Sequence, residues 1–213
     1  MCVKVLITCG PTWAKLDDVR VLSNQSTGEM GHLIALAFHQ KGAKVTLIEG
    51  PVLQPFHQKG IKVIKFHFFD ELDQILKEQC SLGFDLIIHA AAVSDFKPKQ
   101  IFKKKIDSSK PLTVEFIKTK KIINDIKKGA PRSRLVGFKL EPDLNQHNMA
   151  GYTKGLFGKA KCDLVFANTT TKGYQGFIIN SSDHILFKAK DKQGIAKALV
   201  RLCTEPSKRK KNR

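Results

Sequence analysis

Short apolar runs alternating with amphipathic stretches set the pattern of this chain. Val3–Thr8 (VKVLIT), Lys44–Ile48 (KVTLI), Phe84–His89 (FDLIIH), Arg134–Phe138 (RLVGF) and Asp163–Ala167 are nearly continuous in apolar residues, as parallel strands covered on both faces are. Ile61–Phe66 (IKVIKF) alternates with period two and reads as a further strand. Between them, helical spacing places Met30, Ile34, Ala37 and Phe38 on one face of a helix from about Gly28 to Lys41, which Gly42 stops. Asp70 is expected to cap a second helix running to about Cys80. Further helices are predicted over Lys120–Lys128, Asn145–Lys161 and Ile195–Leu202. Phe177–Ile179 and His184–Phe187 suit a closing hairpin around Asn180–Asp183.

Two stretches break the rhythm. Asp17–Asn24 is a polar loop, and Ser94–Lys110 is an excursion with few apolar residues and six lysines. Leu112–Ile117 alternates again after it. Alternating strands and helices predict an α/β fold: a Rossmann-like, mostly parallel sheet with helices on both faces, plus an excursion flap and a C-terminal hairpin. Ligands in such sheets bind outside the strand C-termini. The loops after Thr8, His89 and Phe138 are therefore expected to line one crevice.

Ser23–Gly31 (SNQSTGEMG) opens the first helix. Backbone N–H groups at a helix start, with the amide of Asn24 and the hydroxyls of Ser26 and Thr27 beside Gly28, suit a phosphate or a developing oxyanion. The spacing is not that of G-x-G-x-x-G, and Thr153 replaces the first glycine that a Walker A loop would need before Gly158-Lys159. A short-chain reductase needs Tyr-x-x-x-Lys, but Leu156 follows Tyr152 and Ile178 follows Tyr174 at that spacing.

Composition changes this picture in two respects. The 213 residues suit one domain, and the five scattered cysteines contain no C-x-x-C pair, which argues against a disulfide framework or zinc ribbon. The formal net charge is +18, of which +13 remains without the tail Lys208–Arg213. Such an excess draws polyanions. The basic stretches lack the interleaved aromatics of a nucleic-acid stacking surface, so small charged substrates fit better. No membrane span or leader is apparent, so a cytoplasmic location is expected.

In order, the chain reads Gly10-Pro11-Thr12, Asp17-x-Val19-Arg20, Ser23-Asn24-Gln25-Ser26-Thr27-Gly28-x-Met30-Gly31, Ala91-Ala92-Val93-Ser94-Asp95-Phe96, Lys105-Ile106-x-Ser108-Ser109, Gly137-Phe138-Lys139-Leu140 and Ala167-Asn168. This order resembles phosphopantothenate–cysteine ligase, in its monofunctional form, from about Val3 to Leu202. The resemblance implies residues 1–206 as one ligase domain, with 207–213 a basic disordered tail. It implies activation of 4'-phosphopantothenate by CTP, or by ATP, to an acyl-nucleotide, and then attack by cysteine. It implies Mg²⁺, a homodimer, no flavin in this chain and a separate phosphopantothenoylcysteine decarboxylase, with neither membrane nor nucleic acid as partner.

The same resemblance carries roles onto residues. Lys105 matches the flap lysine over the α-phosphate, with Lys103 and Lys104 as open alternatives. Asn24 matches the asparagine at the acyl-nucleotide. Asp95 matches an acidic nucleotide and metal residue; an ion pair with a nearby lysine is the plain alternative. His89, Ala90, Ala91 and Phe138 would line the nucleotide and Lys159 would meet phosphate, while Gly10, Ser26, Thr27 and Gly28 form the substrate or anion loop. The chain departs from the pattern at Gly155, where a helix lysine is usual, and near Lys120-Lys121, where a proline–acid pair is missing.

Overall fold

The computed structural model describes residues 2–171 and 173–204, so the expectation of a disordered tail at 207–213 lies outside the described residues. Its elements are β1 (Lys4–Cys9), β2 (Trp13–Lys15), β3 (Val21–Ser23), α1 (Glu29–Gln40), β4 (Lys44–Glu49), β5 (Lys62–Lys65), α2 (Phe69–Cys80), β6 (Leu86–His89), β7 (Phe96–Pro98), β8 (Phe116–Lys118), α3 (Ile123–Gly129), β9 (Arg134–Leu140), α4 (Met149–Gly158), β10 (Leu164–Thr169), β11 (Gln175–Asn180), β12 (Ile185–Ala189) and α5 (Lys192–Thr204).

One eight-stranded sheet forms the frame, in the order β12-β11-β10-β9-β6-β1-β4-β5. Neighbours from β10 to β5 pair in parallel, while β11 and β12 add the antiparallel hairpin. The sheet is buried on both faces, which explains the continuous apolar runs. On one face Ile34 and Phe38 of α1 and Ile195 and Leu199 of α5 pack on Val5, Ile7, Val136 and Phe166. Leu72 and Leu76 of α2, Ile126 of α3 and Met149 of α4 pack on Leu6, Ile87 and Val165 on the other. Each fully buried large side chain contributes about 1.5–3 kcal/mol.

Several local expectations are corrected. Asp70 does not cap α2: Phe68 holds the cap position, and Glu71 Oε2 instead accepts the N–H groups of His67 and Phe68 at 2.7 and 3.3 Å. Asp17–Asn24 is not simply a loop, because Val21–Ser23 within it is β3, which pairs antiparallel with β2 just before it. The alternation noted over Leu112–Ile117 yields a strand only at Phe116–Lys118, which pairs with Phe96–Pro98 as a separate ribbon. The helix expected from Asn145 starts at Met149, because side chains of Asn145 and Asn148 bond backbone N–H groups of that stretch as a turn.

Gly31 sets how closely α1 lies on β1. A Cβ at Gly31 would stand 2.3 Å from the Cβ of Cys9, which is fixed to its strand. Gly31→Ala is expected to lower stability by about 2 kcal/mol, because overpacking outweighs the better helix propensity of alanine. The urea midpoint measures this, and an unchanged midpoint would mean that α1 stands off the sheet.

Candidate functional site

The direction of chain growth reverses between β1 and β6. From β1 the sheet extends through β4 to β5, and from β6 it extends the other way through β9. Their C-terminal ends therefore open a crevice at the switch point. The loops leaving them continue side by side: Ala92 N–H donates to Gly10 O at 2.9 Å, Thr12 N–H to Ala92 O at 3.3 Å, and Ser94 N–H to the Thr12 hydroxyl at 2.9 Å.

Asn24 joins this pair of loops from a third direction. Its Nδ2 donates to Ala92 O at 3.0 Å, while the residue itself is exposed. The side chain thus does not close its own turn; it reaches 68 residues along the chain and leaves a second N–H for other use. Gly28 begins α1 with φ +75°, and Gly10 turns with φ +77°. A Cβ at Gly28 would lie 2.9 Å from Val52 Cγ1 and 3.6 Å from Gly10 N, so the two glycines face one another across a narrow gap. Ser26 and Thr27 precede that gap, with the Thr27 hydroxyl 3.4 Å from Glu29 N. Lys192 forms an ion pair with Glu29 in the first turn of α1.

Beneath the loops, Thr8 and His89 lie on the α2 side of the sheet. Ala91 N–H donates to Thr8 Oγ1 at 3.1 Å, and the same hydroxyl shares a hydrogen bond with His89 Nδ1, 2.9 Å away. Burial pushes His89 down to about 4. Ala90, Ala91 and Ala92 are half-buried and carry this support to the crevice wall. Because the native pKa lies below the ordinary 6.5, the unfolded chain takes up the proton first as pH falls. Stability is therefore expected to drop between about pH 6.5 and 4, by about 3 kcal/mol in total. Melting temperatures across that window measure it, and His89→Gln is expected to flatten the slope.

On the α1 face, Glu49 is fully buried at the end of β4. His32 Nε2 lies 2.6 Å from its Oε1, Phe56 N–H donates to Oε1 at 3.0 Å, and Lys65 pairs with Oε2. Ligand atoms of Cys9, His32 and Glu49 lie within 4.8 Å of one another. Burial pushes the Cys9 thiol up to about 12, and both Glu49 oxygens are already engaged, so the cluster reads as a compensated buried charge beneath the glycine gap. Sequence reasoning missed it, because its members come from separate elements and share no spacing.

Asp95 and Lys121 form an ion pair at 2.5 Å, both exposed, beside the ribbon of β7 and β8. Phe138 is half-buried on β9 and meets Phe166 edge-on, with ring centroids 4.9 Å apart. Lys103, Lys104 and Lys105 are exposed, with Ile106 anchored to Asp17 and Arg20. Lys159 is not brought to the others. It follows α4 and precedes β10, which places it at the N-terminal edge of the parallel strands, opposite the crevice.

A doubly wound α/β domain with a polar, glycine-lined crevice at its switch point is the class these features define. The chain belongs to the family described as DNA/pantothenate metabolism flavoprotein C-terminal domain, whose model matches residues 2–203. A coenzyme A biosynthesis bifunctional protein CoaBC of Thermococcus kodakarensis is 37% identical over 167 residues, covering 78% of this chain and 41% of that protein. The protein of the same name from Borreliella burgdorferi is 33% identical over 208 residues, covering 93% of this chain and 52% of its own length. The chain thus spans roughly half the length of these relatives, or less. Among solved structures, the DNA/pantothenate metabolism flavoprotein from Streptococcus pneumoniae superposes with TM-score 0.85 at 24% identity, over 94% of this chain and 98% of that one. A Cab2 H337A variant in complex with phosphopantothenate-cysteine superposes with TM-score 0.78 at 18% identity, over 94% and 85%. These two likenesses concern the fold. Among the described residues no helix is long and apolar enough to cross a membrane.

Proposed function

We propose that this chain is a phosphopantothenate–cysteine ligase acting in coenzyme A biosynthesis. Membership of a family whose relatives are named for that biosynthesis supports this reading, as does the complex of a structural neighbour with phosphopantothenate-cysteine. The observation that carries it is the meeting of Gly10, Asn24, Gly28 and Ala92 at one switch-point crevice. In the reaction, the carboxylate of 4'-phosphopantothenate attacks the α-phosphorus of CTP and expels pyrophosphate, giving an acyl-cytidylate. The amine of cysteine then attacks the acyl carbon; CMP leaves with the bonding pair, and the amine proton passes to solvent or a base.

Gly10, Ser26, Thr27 and Gly28, with the N-terminal N–H groups of α1, are suited to a phosphate or carboxylate. The Lys103–Lys105 flap would meet the triphosphate, with Lys105 at the transferring phosphoryl group. Ala90, Ala91 and Phe138 offer half-buried surface for a base, with His89 a buried support behind them. Asp95 would give Mg²⁺ one carboxylate oxygen, the ion's usual protein share beside phosphates and water. When bound, that ion would neutralise triphosphate charge. Lys159 could reach a phosphate only from the far edge or from a second subunit. Exposed Val21, Leu22, Phe96, Phe116 and Ile117 on the hairpin and ribbon support a homodimer. A cytoplasmic location and a decarboxylase consuming the product complete the reading.

Pyrophosphate release in the presence of Mg²⁺ and phosphopantothenate tests it. CTP is expected to support turnover with cysteine, with ATP the weaker donor. Release of none with any nucleoside triphosphate would sink the proposal.

A further inference from the structure

The flap lysines are held by a turn that the proposed chemistry has not used. Asp17 lies between β2 and β3 with its carboxylate wholly shielded from solvent. Its Oδ1 accepts the N–H groups of Val19 and Arg20 at 2.8 and 2.7 Å. Its Oδ2 accepts the N–H of Ile106 at 2.9 Å and lies 3.3 Å from Arg20 Nη1. Arg20 in turn places Nη1 and Nη2 each 3.4 Å from Ile106 O. Ile106 is thus gripped at its N–H and at its C=O from one turn.

A second tether lies four residues earlier, where Phe102 N–H donates to Leu16 O at 3.0 Å. Lys103, Lys104 and Lys105 are the exposed span between these two anchors, both of which end on Leu16–Arg20. A buried carboxylate is costly unless its oxygens are satisfied, and here every bond it makes either closes the turn or holds the flap. The Ile106 N–H is also the foremost cause holding the Asp17 carboxyl below the usual carboxylate range, followed by opposing burial and then by Val19 and Arg20. The carboxylate is therefore ionised at neutral pH, and its hydrogen bonds are charge-assisted.

We propose that Asp17 is a positioning residue, which fixes the Lys103–Lys105 span over the crevice by clamping Ile106. The inference rests on the ligase reading for its activity readout but not for its structural one. The experiment is Asp17→Asn, alone and combined with Lys105→Gln, measured by pyrophosphate release and by hydrogen exchange at the Ile106 amide. Asp17→Asn is expected to lower kcat about 10²-fold, the cost of misplacing a catalytic group by about 1 Å, with KM values within about twofold. In the Lys105→Gln background it is expected to cost nothing further, because both changes remove one contact. Ile106 exchange is expected to quicken in either background.

Undiminished kcat, a full additional loss in the double variant, or unchanged Ile106 exchange would each overturn the proposal. If Lys105→Gln retains activity, the same cycle run with Lys103→Gln and Lys104→Gln decides it. Should Asp17→Asn fail to fold, Arg20→Lys removes the fork from Ile106 O and is expected to show the same pattern with a smaller loss; additivity there counts against the clamp. A wild-type protein that releases no pyrophosphate would defeat the ligase reading alone, since the exchange measurement still decides whether Asp17 holds Ile106.

Discussion

Lys105→Gln is expected to slow pyrophosphate release about 10²–10³-fold, the usual cost of removing one preorganised contact to a developing charge. The substitution keeps a hydrogen-bonding polar end, on a side chain one atom shorter, but removes the positive charge. Lys105 is exposed and packs in no core, so the melting temperature is expected to stay within about a degree or two of wild type. Loss of rate with retained stability is the signature of an electrostatic role at the transferring phosphoryl group. Its neighbours Lys103 and Lys104 are exposed within the same tethered span, so the three variants must be compared. Wild-type release by Lys105→Gln, with a deep loss in a neighbour, would move the role by one or two residues. Full activity in all three would remove the flap from the chemistry.

Legibility from the sequence followed burial. Strands covered on both faces had to be written as continuous apolar runs, so β1, β4, β6, β9 and β10 were readable to within a residue or two. The β2–β3 hairpin was not, because three-residue strands carry no period and are held by partners elsewhere: Trp13 N–H donates to His67 O at 2.7 Å. The α2 cap was misjudged because Asp70 and Glu71 are both acids at a helix start, and only geometry shows which side chain reaches back.

The site divides in the same way. Gly10, Asn24, Gly28 and Ala90–Ala92 were legible because parallel topology gathers loops that follow strand C-termini. Lys159 was assigned by resemblance, and the reversal of the crossover helix carries it to the opposite edge. Asp17 stood within the matched residues without a role, since a buried loop acid looks like any polar turn residue until its partner at Ile106 is seen. Nothing in spacing announced the Glu49, His32 and Lys65 cluster either.

Asn24→Asp separates the two half-reactions. Activation builds charge on a phosphoryl group, where lysine and metal dominate; cysteine attack builds it on the acyl oxygen, where an oriented amide is well suited. In the structure one N–H of Asn24 is committed to Ala92 O at 3.0 Å, which aims the amide while leaving its other N–H available. Aspartate offers no donor and sets a negative oxygen against that carbonyl. Turnover with cysteine is expected to fall about 10²–10³-fold while one equivalent of pyrophosphate is still released and the acyl-nucleotide accumulates, visible after acid quench. The tether supplies a rival cause, because a freed loop would disturb the whole crevice. Asn24→Ala removes tether and donor together without the added repulsion, and pyrophosphate release in the two variants tells the causes apart. If the amide serves the oxyanion, both variants accumulate the intermediate. If the tether is what matters, both lose pyrophosphate release as well, and no intermediate appears. Normal turnover in either variant would reduce Asn24 to a loop fastening.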